Sequence, residues 1–453
     1  MHLVKSTTAG LKRTISIFSA LFITTIAIAQ ENSPYSRYGM GDIVPNQNIV
    51  NRGMGGISAG YSDFQSINFM NPASLGGLRS TVFDLGADID IRNLKSNTSP
   101  DKFQSVNTLI SYLQIGFPVG SEKMIKKDRF WGVSFGLRPV TRINYKIQKD
   151  ERTAIDSMST LYEGSGGISQ ANVSTGIKIK NFSAGLSTGY TFGSKDYSTQ
   201  KSVVNDSVFH YPSNTAVKTR FGGVFLNAGM QYEITLKKND VSVKNKPILR
   251  LGAYANFQQN LNARRDEVQE TIAYDGNGGY ISIDTVSFTS EVKGKVKMPA
   301  TYGVGFTYAK NQLLFGADLE LTNWENYRYY DQKDVLQNSY MFRAGAQYYP
   351  AKDNTPSSKY WSFVKYRAGV YFGNDYVKLD DKNRPNYGVT FGAGLPLTSL
   401  QRISYIREIV ILNAGVEIGT RGNKESQSLR ENIMRFSLGI SMNARWFFKP
   451  KYD

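Results

Sequence analysis

Apolar and polar residues alternate with a period of two over unusually long stretches of this chain. From Arg435 to Phe448 the even positions are Phe436, Leu438, Ile440, Met442, Ala444, Trp446 and Phe448. The odd positions begin Arg435, Ser437, Gly439, Ser441, Asn443 and Arg445. A strand sends successive side chains to opposite faces, so one face here is apolar and the other polar. The same pattern recurs at Phe83–Ile91, Trp131–Pro139, Phe182–Phe192, Leu313–Leu321, Tyr340–Tyr348, Val364–Phe372 and Val410–Ile418. A soluble sandwich strand is about 5–6 residues long, whereas about 9–11 tilted residues cross a bilayer. A soluble sandwich also alternates, so one strand proves little, but eight such strands with charges on the second face are harder to explain that way. The pattern predicts an all-β fold, a transmembrane antiparallel β-barrel.

The punctuation sets the layout. Lys180-Asn181 and Lys310-Asn311 read as tight hairpins. Segments 195–219, 263–298 and 325–338 are longer and polar and read as extracellular loops. Asp275-Gly276-Asn277-Gly278-Gly279 is a turn signal, not a calcium loop, since it lacks the second Asp and terminal Glu of an EF-hand. An even strand number of about 14 is predicted, with 16 as the alternative.

The ends of the chain differ from its middle. Lys5, Lys12 and Arg13 precede an apolar run, Ile15 to Ala29, that is too short to span stably. With Ala27-Ile28-Ala29 it reads as a signal peptide over residues 1–29, cleaved before Gln30. Beyond it no run of 18 apolar residues occurs, so a membrane protein of this sequence must cross as a closed barrel. Residues 30–79 show no sustained alternation but hold Ile57, Phe64, Ile67, Phe69, Met70 and Leu75. This apolar content favours a packed N-terminal plug over a disordered tail. Residues 80–453 would form the wall.

Composition narrows the chemistry. The chain has no cysteine, and residues 30–453 hold one histidine, His210. Disulfides, thiolate sites and the common zinc sites are therefore excluded, and no metal or cofactor is expected. Two G-x-S-x-G matches, Gly132–Gly136 and Gly185–Gly189, lie inside alternating strands and not on a strand-to-helix elbow. The reading is not an enzyme. The net charge is +17, or +14 without residues 1–29. No helix, finger or basic arm carries it, so outer-membrane lipid and lipopolysaccharide are the expected partners, and nucleic acid is not.

Charges predicted on the lumen face include Arg138, Arg142, Asp318, Glu320, Arg343, Arg367, Glu417 and Arg435. They read first as cross-strand ion pairs filling the lumen, with a lining selective for an anionic solute as the alternative.

Asn71-Pro72-Ala73-Ser74-Leu75, preceded by Gly53-Met54-Gly55-Gly56, resembles the NPA-type segment of FadL-type long-chain fatty acid transporters. Tyr387–Leu397 and Gly419-Thr420-Arg421-Gly422 also look like the wall of FadL-related barrels of Bacteroidota. The resemblance implies a 14-stranded barrel in the outer membrane, plugged by an N-terminal hatch. It implies hydrophobic ligands that leave sideways through a gap in the wall. Gly53, Gly55, Gly56, Asn71, Pro72 and Ala73 would form the hatch, whose glycines permit movement. The leading functional expectation is passive transport of small hydrophobic compounds such as long-chain fatty acids. The alternative is a barrel subunit or scaffold of a secretion or assembly complex in the envelope.

Overall fold

A computed structural model describes residues 33–444, apart from 96–101, 153–155, 205–208, 237–245, 277–278, 352–358, 380–383, 399–407 and 424–428. The expected signal peptide and the Trp446–Phe448 aromatic cluster lie outside the described residues.

Fourteen strands form the wall. They are β1 Thr81–Lys95, β2 Lys102–Pro118, β3 Arg129–Arg152, β4 Ser157–Ile179, β5 Phe182–Val204 and β6 Ser213–Thr235. β7 runs through Ile248–Asn256 and Gln259–Tyr274, and β8 through Tyr280–Met298 and Thr301–Lys310. The rest are β9 Leu313–Thr322, β10 Ser339–Tyr348, β11 Lys365–Asn374, β12 Pro385–Pro396, β13 Glu408–Arg421 and β14 Arg430–Ala444. Every pairing is antiparallel, and the sheet closes by β14 on β1, from Arg430 opposite Lys95 to Ala444 opposite Thr81. Closure leaves no sheet edge at the seam, which lipid requires. The alternation sorts as expected along β14. Ser437, Ser441 and Asn443 are buried, while Phe436, Leu438, Ile440 and Met442 are exposed on the outer face.

β7 and β8 are each one wall strand broken in the middle. The lower half of β6 pairs with the first half of β7, and its upper half with the second. The break in β8 falls at Pro299-Ala300, where proline has no ladder donor.

Two expected loops are instead strand. Residues 195–204, 213–219, 263–274 and 280–298 continue the hairpins β5–β6 and β7–β8 far beyond the lipid. β6 alone has 23 residues, about 75 Å of strand. The extension is polar because it faces water, and polarity without apolar alternation hid its strand character. Segment 325–338 does connect β9 to β10, with a short bridge at Arg328–Tyr329. The two-residue hairpins turn at Lys180-Asn181 and Asn311-Gln312, with Lys180 and Asn311 at positive φ.

The lipid-facing assignment is testable at one position. Leu438→Arg should destabilise the barrel in liposomes by about 2–4 kcal/mol. Denaturant unfolding that shows less than about 1 kcal/mol would contradict the assignment.

Candidate functional site

The wall is incompletely zipped at one place. β2 pairs with β1 along its length, but with β3 only from Leu113 opposite Leu137 to Pro118 opposite Gly132. Above that point Pro139 interrupts β3, and the pairing of β3 with β4 shifts by one residue between Pro139 and Thr141. Proline supplies no ladder donor, and a bulge bends its strand. β3 therefore leaves β2 half way up the wall.

The N-terminal segment takes over the freed edge of β3. Asp42 and Ile43 pair with Arg142 and Thr141. Val44 N donates to Val140 O at 3.0 Å, and Ser33 N donates to Asn144 O at 2.8 Å. Gly41 sits at φ +99°, and a Cβ there would meet Arg142 O at 2.5 Å, so only glycine allows this approach. The facing edge of β2 is not paired in this way among the described residues. The Arg142 guanidinium spans the opening to Thr108 O at 3.3 Å, and Phe103 and Ile110 of β2 are 62% and 66% exposed.

Asp42 is the electrostatic anchor of this closure. It accepts from Arg92 at 2.5 Å, from Arg421 at 2.8 Å and from the Ser33 hydroxyl. Arg421 also pairs with Glu431 at 2.6 Å. Close by, the Arg384 guanidinium lies 3.5 Å above the Tyr35 ring and pairs with Asp375 at 2.9 Å. Burial alone would raise the Asp42 carboxyl, but Arg421 and Arg92 override it and hold it well below the usual carboxylate range. Deeper along the segment, burial and Lys365 oppose each other at Asp63 in the same way, and Lys365 at 3.1 Å prevails.

Further along, the segment lies on rows of wall glycines. Gly132, Gly176, Gly185 and Gly229 stand opposite one another across β3–β6. A Cβ at Gly176 would come 3.0 Å from Leu75, and one at Gly185 would come 2.5 Å from Ala73 N. Pro72 and Ala73 open a short 3-10 helix, Pro72–Gly77, that rests on this smooth shelf. Asn71 caps it by accepting from Ala73 N, while its amide donates to Ala59 O at 2.7 Å and to the β7 carbonyl Ala253 O at 3.2 Å. A second row, Gly316, Gly345 and Gly369, crosses β9–β11. There Gly55, at φ +70°, comes so close that a Cβ would meet Val370 O at 2.6 Å, and its N–H donates to Thr390. Gly56 packs on Arg343, and Gly53 on Gly392 and Arg367.

The predicted charges fall into three groups. Arg343 pairs with Glu320 at 2.9 Å, and Arg435 pairs with Glu417 at 2.9 Å and with Asp90. Asp318 holds the N-terminal segment, accepting from Ser58 N at 2.5 Å and Ala59 N at 2.7 Å. Arg138 and Arg367 have neutral partners. Arg138 donates to Gln170 at 3.1 Å and Asn46 O at 3.4 Å, and Arg367 donates to Gln347 and Asn413. Arg142 departs from its expected lumen position. The bulge at Val140 inverts the alternation, so Thr141, Ile143 and Tyr145 are buried and Arg142 turns to the opening.

Arg138, Arg343, Arg421 and Arg435 line a cavity of about 270 Å³ with Glu320, Glu417 and residues Ile43–Gln47. A wider, half-open cavity of about 530 Å³ lies on the projecting sheet, lined by Tyr145, Tyr197, Val217 and Phe288 among others. The sequence reading missed Asp42, Arg92, Arg52 and Arg421. Arg421 stands inside Gly419–Gly422 and Arg52 directly before Gly53, so proximity to those motifs was the available signal.

The sign of the pH dependence at Asp42 follows from its depressed native value. Its contribution is complete above the unfolded carboxyl value of about 4 and is lost as pH falls through the native value. Removing one partner of a buried pair costs about 3–5 kcal/mol. Asp42→Asn should therefore speed exchange of the Ser33 and Val44 amides about a hundredfold or more at pH 7. Corrected for intrinsic rates, their protection should weaken below about pH 4 in the parent only. Equal exchange in both proteins would exclude the anchor.

Comparison with known proteins adds the lineage. The CymD monoaromatic hydrocarbon channel shares 14% identity, over 90% of this chain and 100% of that one, with a TM-score of 0.53. A FadL homologue of Pseudomonas aeruginosa shares 12%, over 90% and 100%, with a TM-score of 0.55. The toluene transporter TbuX of Ralstonia pickettii shares 12%, over 89% and 99%, with a TM-score of 0.51. At these identities the likeness is one of fold, that of outer-membrane barrels. No curated protein matches the sequence. The model of one protein family, BamG, matches residues 11–453, and the chain belongs to that family.

Proposed function

We propose that the protein is a passive conduit for small hydrophobic compounds across the outer membrane, with no enzymatic step. One observation carries this reading: the wall opens between β2 and β3, and only a short N-terminal strand closes it. An apolar solute crosses the charged outer surface slowly but enters hydrocarbon readily. It would collect on the aromatic lining around Tyr145, Tyr197 and Phe288. It would then leave sideways into the bilayer once residues 33–44 withdraw from β3. Residues 30–79 act in this reading as the hatch, with Gly53, Gly55, Gly56 and Asn71-Pro72-Ala73 as its seat. The channels of similar fold that carry toluene or monoaromatic hydrocarbons support the solute class.

The chain has no native cysteine, so a single engineered disulfide tests the gate. Ile43 and Thr141 are antiparallel partners, within disulfide reach. Oxidised Ile43→Cys/Thr141→Cys protein should lose uptake of a long-chain fatty acid or an alkane, and reduction should restore it. Equal uptake in the oxidised and reduced states would overturn the gate.

A second reading, a barrel subunit of an envelope complex, is favoured by the projecting sheet. Its far end exposes Phe209 at 77%, with Val286 and Phe288 also well exposed, beyond the reach of lipid. Purification in mild detergent separates the two. A stoichiometric partner released by Phe209→Asp/Val286→Asp/Phe288→Asp supports the subunit reading, and purification without a partner counts against it.

A further inference from the structure

The two rims of the barrel differ in charge. β1 starts and β14 ends at one rim, which in this barrel class faces the periplasm. Among the described residues, the six segments joining wall strands at that rim hold 6 Lys and Arg against 2 Asp and Glu. The seven at the opposite rim hold 4 against 6 among the described residues.

We propose that the periplasmic rim is a binding collar for the anionic headgroups of inner-leaflet phospholipids. Lys123, Lys127, Arg129, Lys180, Lys310 and Lys359 are exposed, and among the described residues none of them joins an ion pair. Lys178 and Arg250, which lie deeper, are both paired with Glu233. The rim cations are thus left over after internal pairing is complete. Glu122 and Asp128 share a turn with Lys123, Lys126 and Lys127, and that turn still carries net positive charge.

Position identifies the occupant as lipid. Four of these cations stand next to an outer-face aromatic. Arg129 is two residues before Trp131, Lys180 two before Phe182, and Lys310 two after Tyr308. Lys359 directly precedes Tyr360 and Trp361, which meet edge to face at 5.6 Å, with Trp361 66% exposed. Exposed aromatics mark the interface, and cations just outside them lie at the phosphate level. The cations also lie in or beside four connections, those joining β2–β3, β4–β5, β8–β9 and β10–β11, so they are spread around the circumference. A lipid annulus meets all of them together, whereas one protein partner would meet a single patch. Each cation adds a small increment of attraction near an anionic surface, so the collar acts through number. This proposal does not depend on what crosses the lumen.

The test uses the full-length protein in nanodiscs with equal phosphatidylglycerol and phosphatidylcholine, followed by native mass spectrometry of the retained lipids. Phosphatidylglycerol should be enriched several-fold on the parent protein. Lys123→Gln/Lys127→Gln/Lys180→Gln/Lys359→Gln should bring the ratio towards parity. The far-rim variant Lys149→Gln/Lys201→Gln should keep the enrichment. Heat-modifiable gel migration verifies that each variant is a folded barrel. Parity on the parent, or undiminished enrichment on the fourfold variant, would overturn the collar. So would an acidic polypeptide that co-purifies in fixed ratio and leaves in high salt, because the collar would then belong to a protein.

Discussion

The whole structure depends on the satisfaction of backbone hydrogen bonds in lipid. An unpaired peptide group costs several kcal/mol in hydrocarbon, so a sheet must close. Thirteen of the fourteen seams meet that demand with wall strands alone. The seam between β2 and β3 does not, because Pro139 and the bulge after it turn β3 away. The N-terminal segment restores the ladder on the β3 side. The same constraint that closes the barrel therefore makes residues 33–44 part of its wall.

A second constraint acts inside. A barrel this wide needs filling, and the N-terminal segment can enter only where the wall lacks side chains. The registered glycines supply that space, Gly176 and Gly185 beneath the Pro72 turn and Gly345 and Gly369 beneath Gly55. Charge then fixes what shape admits. Arg52 pairs with Asp88 and Arg421 with Asp42, joining the segment to the wall through buried pairs. Such pairs add little net stability over an apolar packing, but breaking one leaves a stranded charge. They therefore specify position more than they stabilise.

Much of the wall was legible in the sequence because lipid imposes a strict rule on one face. Phe436, Leu438, Ile440 and Met442 must be apolar, so alternation reports both the strand and its outer side. Above the membrane that rule lapses. β5 to β8 continue there in water on both faces, and the polar stretches 195–219 and 263–298 gave no periodic signal. Arg142 shows a finer limit. Its parity with Arg138 predicted a shared face, and a single extra residue at Val140 reversed it, although Pro139 was a visible warning. Asp42 was least legible of all. Nothing local marks it, since its partners Arg92 and Arg421 are distant in sequence and meet it only through closure of the sheet.

The contacts distinguish two parts of the N-terminal segment that the sequence presented as one hatch. Residues 49–77 are held by glycine shelves, by Asp318, and by apolar clusters around Met54, Ile57 and Leu75. Moving them would expose a core and strand several polar groups, at a cost near that of unfolding the lumen. Residues 33–44 are held by backbone bonds to β3, by the Asp42 anchor, and by Tyr35 and Met40, which join an apolar cluster with Phe221, Trp324 and Tyr376. Their release, which the proposed conduit requires, would expose that cluster and the edge of β3 as well as break the anchor. The glycines at 53, 55 and 56, which the sequence offered as hinges, are seated against the wall. Gly41 is seated in the same way against Arg142 O of β3, so these glycines mark where the segment meets the wall.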